Sequence, residues 1–246
     1  MQIYIIINIL RVVFDKTYEK YFYFYIDYQS IPFMNTILIA IIVLTVIVSF
    51  KGFEDSSFFR KYEFHIASIR TGEQIRMFSS AFLHADISHL AFNMLTLYFF
   101  APVVYGFLGD FSFFLIYIGS LLSGSLLTLF FHKNDYSYRA IGASGAVTGV
   151  LYAAILIYPE MNLYLFFIPI PIPAYIFGIG YLLYSIYGMK AKRDNIGHTA
   201  HFGGAIGGYL ITLINEPQLF SDNTEMVVLL AIPILLLFVL EKMGKL

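Results

Sequence analysis

Long apolar stretches divide the chain. Residues 34–50, 90–108, 111–131, 141–158 and 163–187 hold no Asp, Glu, Lys or Arg. Each is close to the roughly 20 apolar residues a helix needs to cross a hydrocarbon core. A sixth stretch, 199–214, is shorter and contains one ionisable residue, His201. A seventh, 226–240, is wholly apolar, also short, and carries Pro233. The pattern predicts an all-α membrane protein, a bundle of six transmembrane helices followed by a seventh, C-terminal one. In the fifth stretch, IPIPIP at 168–173 must distort the helix, because each proline removes a backbone donor. It is either a kink within a span or an irregular entry to a shorter helix. The connection 51–88 mixes charged and apolar residues and predicts short helices in or near the interface. Three regions result: an N-terminal extension 1–33, a six-helix core 34–215 and a C-terminal segment 216–246. The extension has an aromatic run, YFYFYIDYQ, without clear period or signal-peptide cleavage site. It is read as an interfacial helix or as sequence preceding a translation start at Met34.

Composition strengthens the membrane reading and removes several functions. Of 246 residues, 59% are hydrophobic and 13% charged, against about 25% charged in a soluble domain. Mean hydropathy is +0.75. A net charge of −1 gives no support for a nucleic-acid partner. The absence of cysteine excludes disulfides, thiolate nucleophiles and cysteine-based metal sites. With no Trp, the 20 Tyr are left to anchor the interfaces.

Polar side chains inside a span are costly and mark functional sites. Four stand out: His89 and Asn93 at the head of the second apolar stretch, Ser144 at the head of the fourth, and His201 at the head of the sixth. Even-numbered helices begin on the same side of a membrane, so the four share a shallow depth, within roughly two turns of one face. His89 and Asn93, four residues apart, share a helix face. Small residues explain how the helices carrying Ser144 and His201 meet. Gly145-x-x-x-Gly149 lies in one, and Gly203-x-x-x-Gly207 and Gly204-x-x-x-Gly208 lie in the other. Such faces let backbones approach closely in lipid, and close approach would bring a serine within reach of a general base. Taken singly, each feature has a plainer reading: glycine spacing as packing, a membrane serine bonded to its own helix, a membrane histidine as proton relay. GASGA is also not a nucleophile elbow, since residue 146 is alanine and the context is helical. Their coincidence at one depth favours chemistry.

These residues resemble the rhomboid family of intramembrane serine proteases. The resemblance rests on GASG (142–145), AHFGG (200–204), FLHADISHLAFNM (82–94) and GEQIRMFSSAFLH (72–84), in order over roughly residues 70–210. It implies a Ser–His dyad with Ser144 as nucleophile and His201 as base. His89, Asn93 and the Ser144 backbone N–H would bind the oxyanion. Gly142, Gly145, His84 and Arg76 would support the site, Gly142 by admitting substrate backbone. No cofactor or metal is implied, and no Asp or Glu lies within the spans to complete a triad. Two positions depart from the family pattern. Thr148 stands where relatives often stack an aromatic on the base histidine, and Ile75 precedes Arg76 where Trp is frequent.

The implied activity is that of a serine endopeptidase cleaving transmembrane segments of membrane-protein substrates, within the bilayer. The alternatives are a catalytically inactive rhomboid-like protein that binds membrane clients, and a small transporter using its histidines as relay. Relatives of the inactive kind typically lack the serine or histidine, and the transporter reading leaves GASG and AHFGG unexplained. The resemblance places the protein in a bacterial cell (inner) membrane, with the dyad opening to the extracytoplasmic side. The basic residues, concentrated after the first, third and fifth stretches, argue for the reverse orientation.

Overall fold

The computed structural model describes residues 35–163, 171–191 and 196–246; the extension 1–33 lies outside them. Among these residues seven long helices follow one another: α1 (Thr36–Glu54), α2 (Ile87–Leu108), α3 (Asp110–His132), α4 (Ser144–Ile157), α5 (Ala174–Ala191), α6 (His198–Asn215) and α7 (Thr224–Lys242). By length and apolar content α1, α2, α3 and α7 are each able to cross a membrane. The protein is a multi-pass, all-α membrane protein.

Helix α4 is the axis of the bundle. Every residue from Gly145 to Ile157 is buried, packed by α2, α3, α5 and α6. It has only 14 residues, about 21 Å at 1.5 Å per residue, and falls short of a hydrocarbon core of about 30 Å. A helix this short is tolerated because protein, not lipid, surrounds it, so its irregular flanks have partners. The peripheral helices bury one stripe each. On α1 this is Leu38, Ile41, Thr45, Ser49 and Gly52; on α7 it is Val227, Leu230, Pro233 and Leu237. Their other faces expose large apolar side chains such as Ile47, Leu235 and Val239, as lipid contact requires.

The proline run ends up outside the fifth helix. Asn162–Leu163 pairs antiparallel with Ile172–Pro173, and α5 begins at Ala174. The apolar stretch 163–187 is therefore not one span. Prolines suit the edge of a two-residue ladder and the first turn of a helix, and they break a helix interior. Likewise the fourth helix starts at Ser144 rather than residue 141, because Gly142 has φ +111°, outside helical geometry.

The expected short helices between α1 and α2 are present as turns at Ser56–Tyr62, Ile66–Arg70 and Arg76–Ser79. Strand β1 (Phe64–His65) pairs with β2 (Arg139–Ala140), tying this connection to the chain just before α4. Glu63, only 2% exposed, forms ion pairs with Arg60 and Arg139. Arg76 is also buried: its guanidinium donates to the carbonyls of Arg60 and Glu63, at 2.8 and 3.1 Å, and to the Glu73 carboxylate. Buried charges of both signs are thus paired, as burial demands.

Candidate functional site

Asp86 sets where α2 begins. Its carboxylate accepts the backbone N–H of His89 at 2.8 Å as an N-cap. His89 is thereby placed in the first turn, half-buried, with Asn93 one turn deeper and buried. The Asn93 amide donates to the His89 carbonyl at 3.0 Å. That uses one of its two N–H groups within its own helix.

Around Ser144 the backbone is held from several sides. The Gly142 N–H donates to the Ser80 carbonyl at 3.0 Å, and the Ala143 N–H donates to His84 Nε2 at 3.3 Å. Because Nε2 accepts, the His84 proton sits on Nδ1, which faces Ser49 Oγ at 2.8 Å; that hydroxyl donates on to the Phe82 carbonyl. His84 in turn meets His89 edge-on, with ring centroids 4.9 Å apart. Gly142 is required twice over. Its φ of +111° disfavours any side chain, and a Cβ would lie 2.8 Å from Cε1 of the His89 ring and 3.8 Å from Ser144 Oγ. Ser144 and His89 thus flank one point of backbone, with His84 behind.

Glycines carry the contact between α4 and α6. A methyl on Gly204 would overlap the Gly145 carbonyl, and one on Gly208 would overlap that of Gly149. A Cβ on Gly145 would stand 3.1 Å from the Ala200 carbonyl. The opposite face of α6 presses on α3, where a Cβ on Gly203 would come within 2.5 Å of the Ser123 carbonyl. The first turns of α4 and α6, which carry Ser144 and His201, are therefore packed backbone to backbone. His201 is 7% exposed.

One residue at the site carried no signal in the sequence. Tyr181 of α5 places its hydroxyl 2.8 Å from His201 Nδ1, its ring inclined 26° to the imidazole at 5.7 Å. It brings an aromatic to His201 although Thr148 stands at the family's usual aromatic position. No motif surrounds Tyr181, one of several tyrosines in an apolar stretch; only the packing of α5 singles it out. Arg76, by contrast, does not touch Ser144; it braces the connection whose next turn, Ser80–Phe82, supplies the carbonyl that holds Gly142. A cavity of about 40 Å³ beside Ser144 is lined by Ser80, Ser125, Thr128, Gly145 and Ala200, with room and partners for water.

His84 yields a prediction about stability. Burial pushes its pKa down from 6.5 to about 3, and the nearby His89 adds to the effect. The unfolded chain takes up a proton at this histidine below pH 6.5, whereas the folded protein refuses it until about pH 3. Stability from this site is therefore full above pH 6.5 and drains as the pH falls toward 3, by at most about 1.4 kcal/mol per pH unit. Unfolding temperatures in detergent are expected to drop over that window, and more shallowly in His84→Gln.

A multi-pass helical bundle with a serine and a cluster of histidines at the heads of α2, α4 and α6 defines a narrow class of membrane protein. The family model for the Rhomboid domain matches residues 71–217, and the chain belongs to the rhomboid family. It is similar to RHOMBOID-like protein 12, mitochondrial, of Arabidopsis thaliana, 29% identical over 175 residues, covering 65% of this chain and 52% of that protein. Rhomboid protein 1, mitochondrial, of Saccharomyces cerevisiae is 31% identical over 140 residues, 56% of this chain and 40% of that one. Putative rhomboid protease YdcA of Bacillus subtilis is 32% identical over 154 residues, 59% of this chain and 69% of that one. The chain thus aligns with about half or less of the length of the two mitochondrial relatives.

Proposed function

We propose that this protein is an intramembrane serine endopeptidase that cleaves transmembrane segments of other membrane proteins. The observation that carries the reading is the glycine-mediated contact of α4 with α6, which presses the turns bearing Ser144 and His201 together. His201 takes the proton of Ser144 Oγ as the oxygen attacks the scissile carbonyl, then returns it to the leaving amine. The Ser144 N–H, His89 and Asn93 are donors to the oxyanion. His84 and Gly142 hold the backbone ahead of the nucleophile, and the cavity beside Ser144 has room for the water that hydrolyses the acyl-enzyme. The relative from Bacillus subtilis whose name includes protease supports the same reading. Placement in a bacterial cell membrane with Ser144 facing outward belongs to this proposal. Four of the ten basic residues that argue against it lie in the folded 55–86 connection, where Arg60 and Arg76 are paired with Glu63 and Glu73.

The direct test is labelling of the membrane-reconstituted protein with a serine-directed fluorophosphonate. Labelling is expected, and its loss in Ser144→Ala. Absence of labelling in the wild type would favour the inactive, client-binding alternative. His89→Ala and Asn93→Ala are each expected to lower turnover while leaving the fold intact. Removing one oxyanion donor costs on the order of 10²–10³ elsewhere, and smaller losses are expected here because other donors remain. Wild-type turnover in the double variant would remove both residues from the oxyanion site.

A further inference from the structure

A neutral imidazole carries one donor and one acceptor nitrogen, and the partner of one nitrogen decides what the other offers. For His201 to act as base through Nε2, its proton must sit on Nδ1. In triads a carboxylate enforces this. Helices α4, α5 and α6 contain no Asp or Glu. The partner at Nδ1 is the hydroxyl of Tyr181, at 2.8 Å. A phenol alone is ambiguous, because it can donate to Nδ1 as readily as accept from it. Thr148, buried on α4 one turn beyond Ser144, has its Oγ1 3.5 Å from the same hydroxyl, and a base working through Nε2 requires the phenol to accept at Nδ1 and pass its own proton to that oxygen.

We propose that Tyr181, oriented by Thr148, is a positioning residue that holds the His201 proton on Nδ1 and so presents Nε2 to Ser144. The inference rests on the protease reading above. The chain of donors runs from His201 Nδ1–H to Tyr181 Oη, and from Tyr181 Oη–H to Thr148 Oγ1. When Ser144 Oγ bonds to the substrate carbonyl carbon, its proton moves to Nε2 and the ring becomes cationic. The Nδ1–H bond to Tyr181 is then charge-assisted and stronger than at rest. The contribution therefore falls on turnover and not on substrate binding. Thr148 and Tyr181 together fill the place of the family's stacked aromatic and add a hydrogen bond to it. The His198 ring meets that of His201 edge-on at 6.2 Å.

The test uses the full chain labelled with ¹⁵N-histidine in detergent micelles, with the His201 signal assigned by its loss in His201→Gln. In the wild type the proton is expected on Nδ1. In Tyr181→Phe, which keeps the ring and loses only the hydroxyl, the signal is expected to move toward the Nε2–H form. kcat is expected to fall roughly 10–100-fold, the loss typical when the group orienting an imidazole is removed, with KM unchanged. Thr148→Val is expected to shift the signal in the same direction by a smaller amount, and Thr148→Ser to restore it. Should Tyr181→Phe unfold, Thr148→Val carries the same spectral comparison. A His201 signal unmoved in both variants overturns the inference, whatever their activity. A signal that moves in a protein without protease activity upholds the positioning role and defeats the protease reading instead.

Discussion

Ser144→Ala is expected to abolish cleavage of a model transmembrane substrate in reconstituted membranes, and His201→Ala to do so nearly as completely. A serine hydroxyl is a weak nucleophile without a base to take its proton, and a base beside an alanine has nothing to activate. Each loss is expected to be very large, on the order of 10⁴–10⁶ in kcat by analogy with other serine proteases. The two losses are also expected to be strongly non-additive, so that the double variant is no worse than either single one. Cleavage is expected to survive EDTA, because the chain has no cysteine and its proposed chemistry needs only a hydroxyl, an imidazole and hydrogen-bond donors. Product analysis by mass spectrometry against the wild type checks all three statements. Cleavage that persists in Ser144→Ala, or that the chelator stops, defeats the serine-protease reading.

Gly204→Val is expected to inactivate the protein although residue 204 has no chemical role. Its Cβ would occupy the position of the Gly145 carbonyl, which belongs to backbone and has no rotamer through which to yield. The first turns of α4 and α6 must then separate, and with them Ser144 and His201. Overpacking in a tight core ordinarily costs about 1–3 kcal/mol, and a clash with backbone belongs at or beyond the top of that range. Thermal unfolding in detergent is expected to move down together with the loss of turnover. Gly106→Val is the control: nothing lies within 4 Å of a Cβ there, so both measurements are expected to stay close to wild type. An active, equally stable Gly204→Val protein would show that close approach of α4 and α6 is not what assembles the site.

Much of the architecture was legible as pattern. Each long helix among the described residues overlaps one of the apolar stretches, because a membrane span needs length and apolarity and both are written residue by residue. Helix ends follow local signals that hydropathy does not report. Capped by Asp86, α2 begins at Ile87, three residues ahead of the apolar stretch, and Gly109, with φ +83°, separates α2 from α3. For the fifth helix the pattern left a kinked span and an irregular entry to a shorter helix both open, since hydropathy does not distinguish an apolar helix from the ladder of Asn162–Leu163 with Ile172–Pro173.

At the candidate site the division is sharper. The sequence by itself determined that this is a membrane bundle of the rhomboid family. It also singled out Ser144, His201, His89 and Asn93, because polar groups at matching ends of alternate helices are costly and seldom accidental. It contained the glycine spacing that lets α4 meet α6. Only the tertiary structure decided which groups surround those residues. Asn93 gives one of its protons to its own helix, His84 reaches back to the Ala143 N–H and to Ser49, and Tyr181 crosses from α5 to His201 Nδ1. The reason is physical. Hydropathy and motif spacing report how a residue relates to its own helix and to the bilayer, whereas a hydrogen bond between helices depends on their rotation and separation. Those are set jointly by all the packed faces, and no short stretch of the chain encodes them.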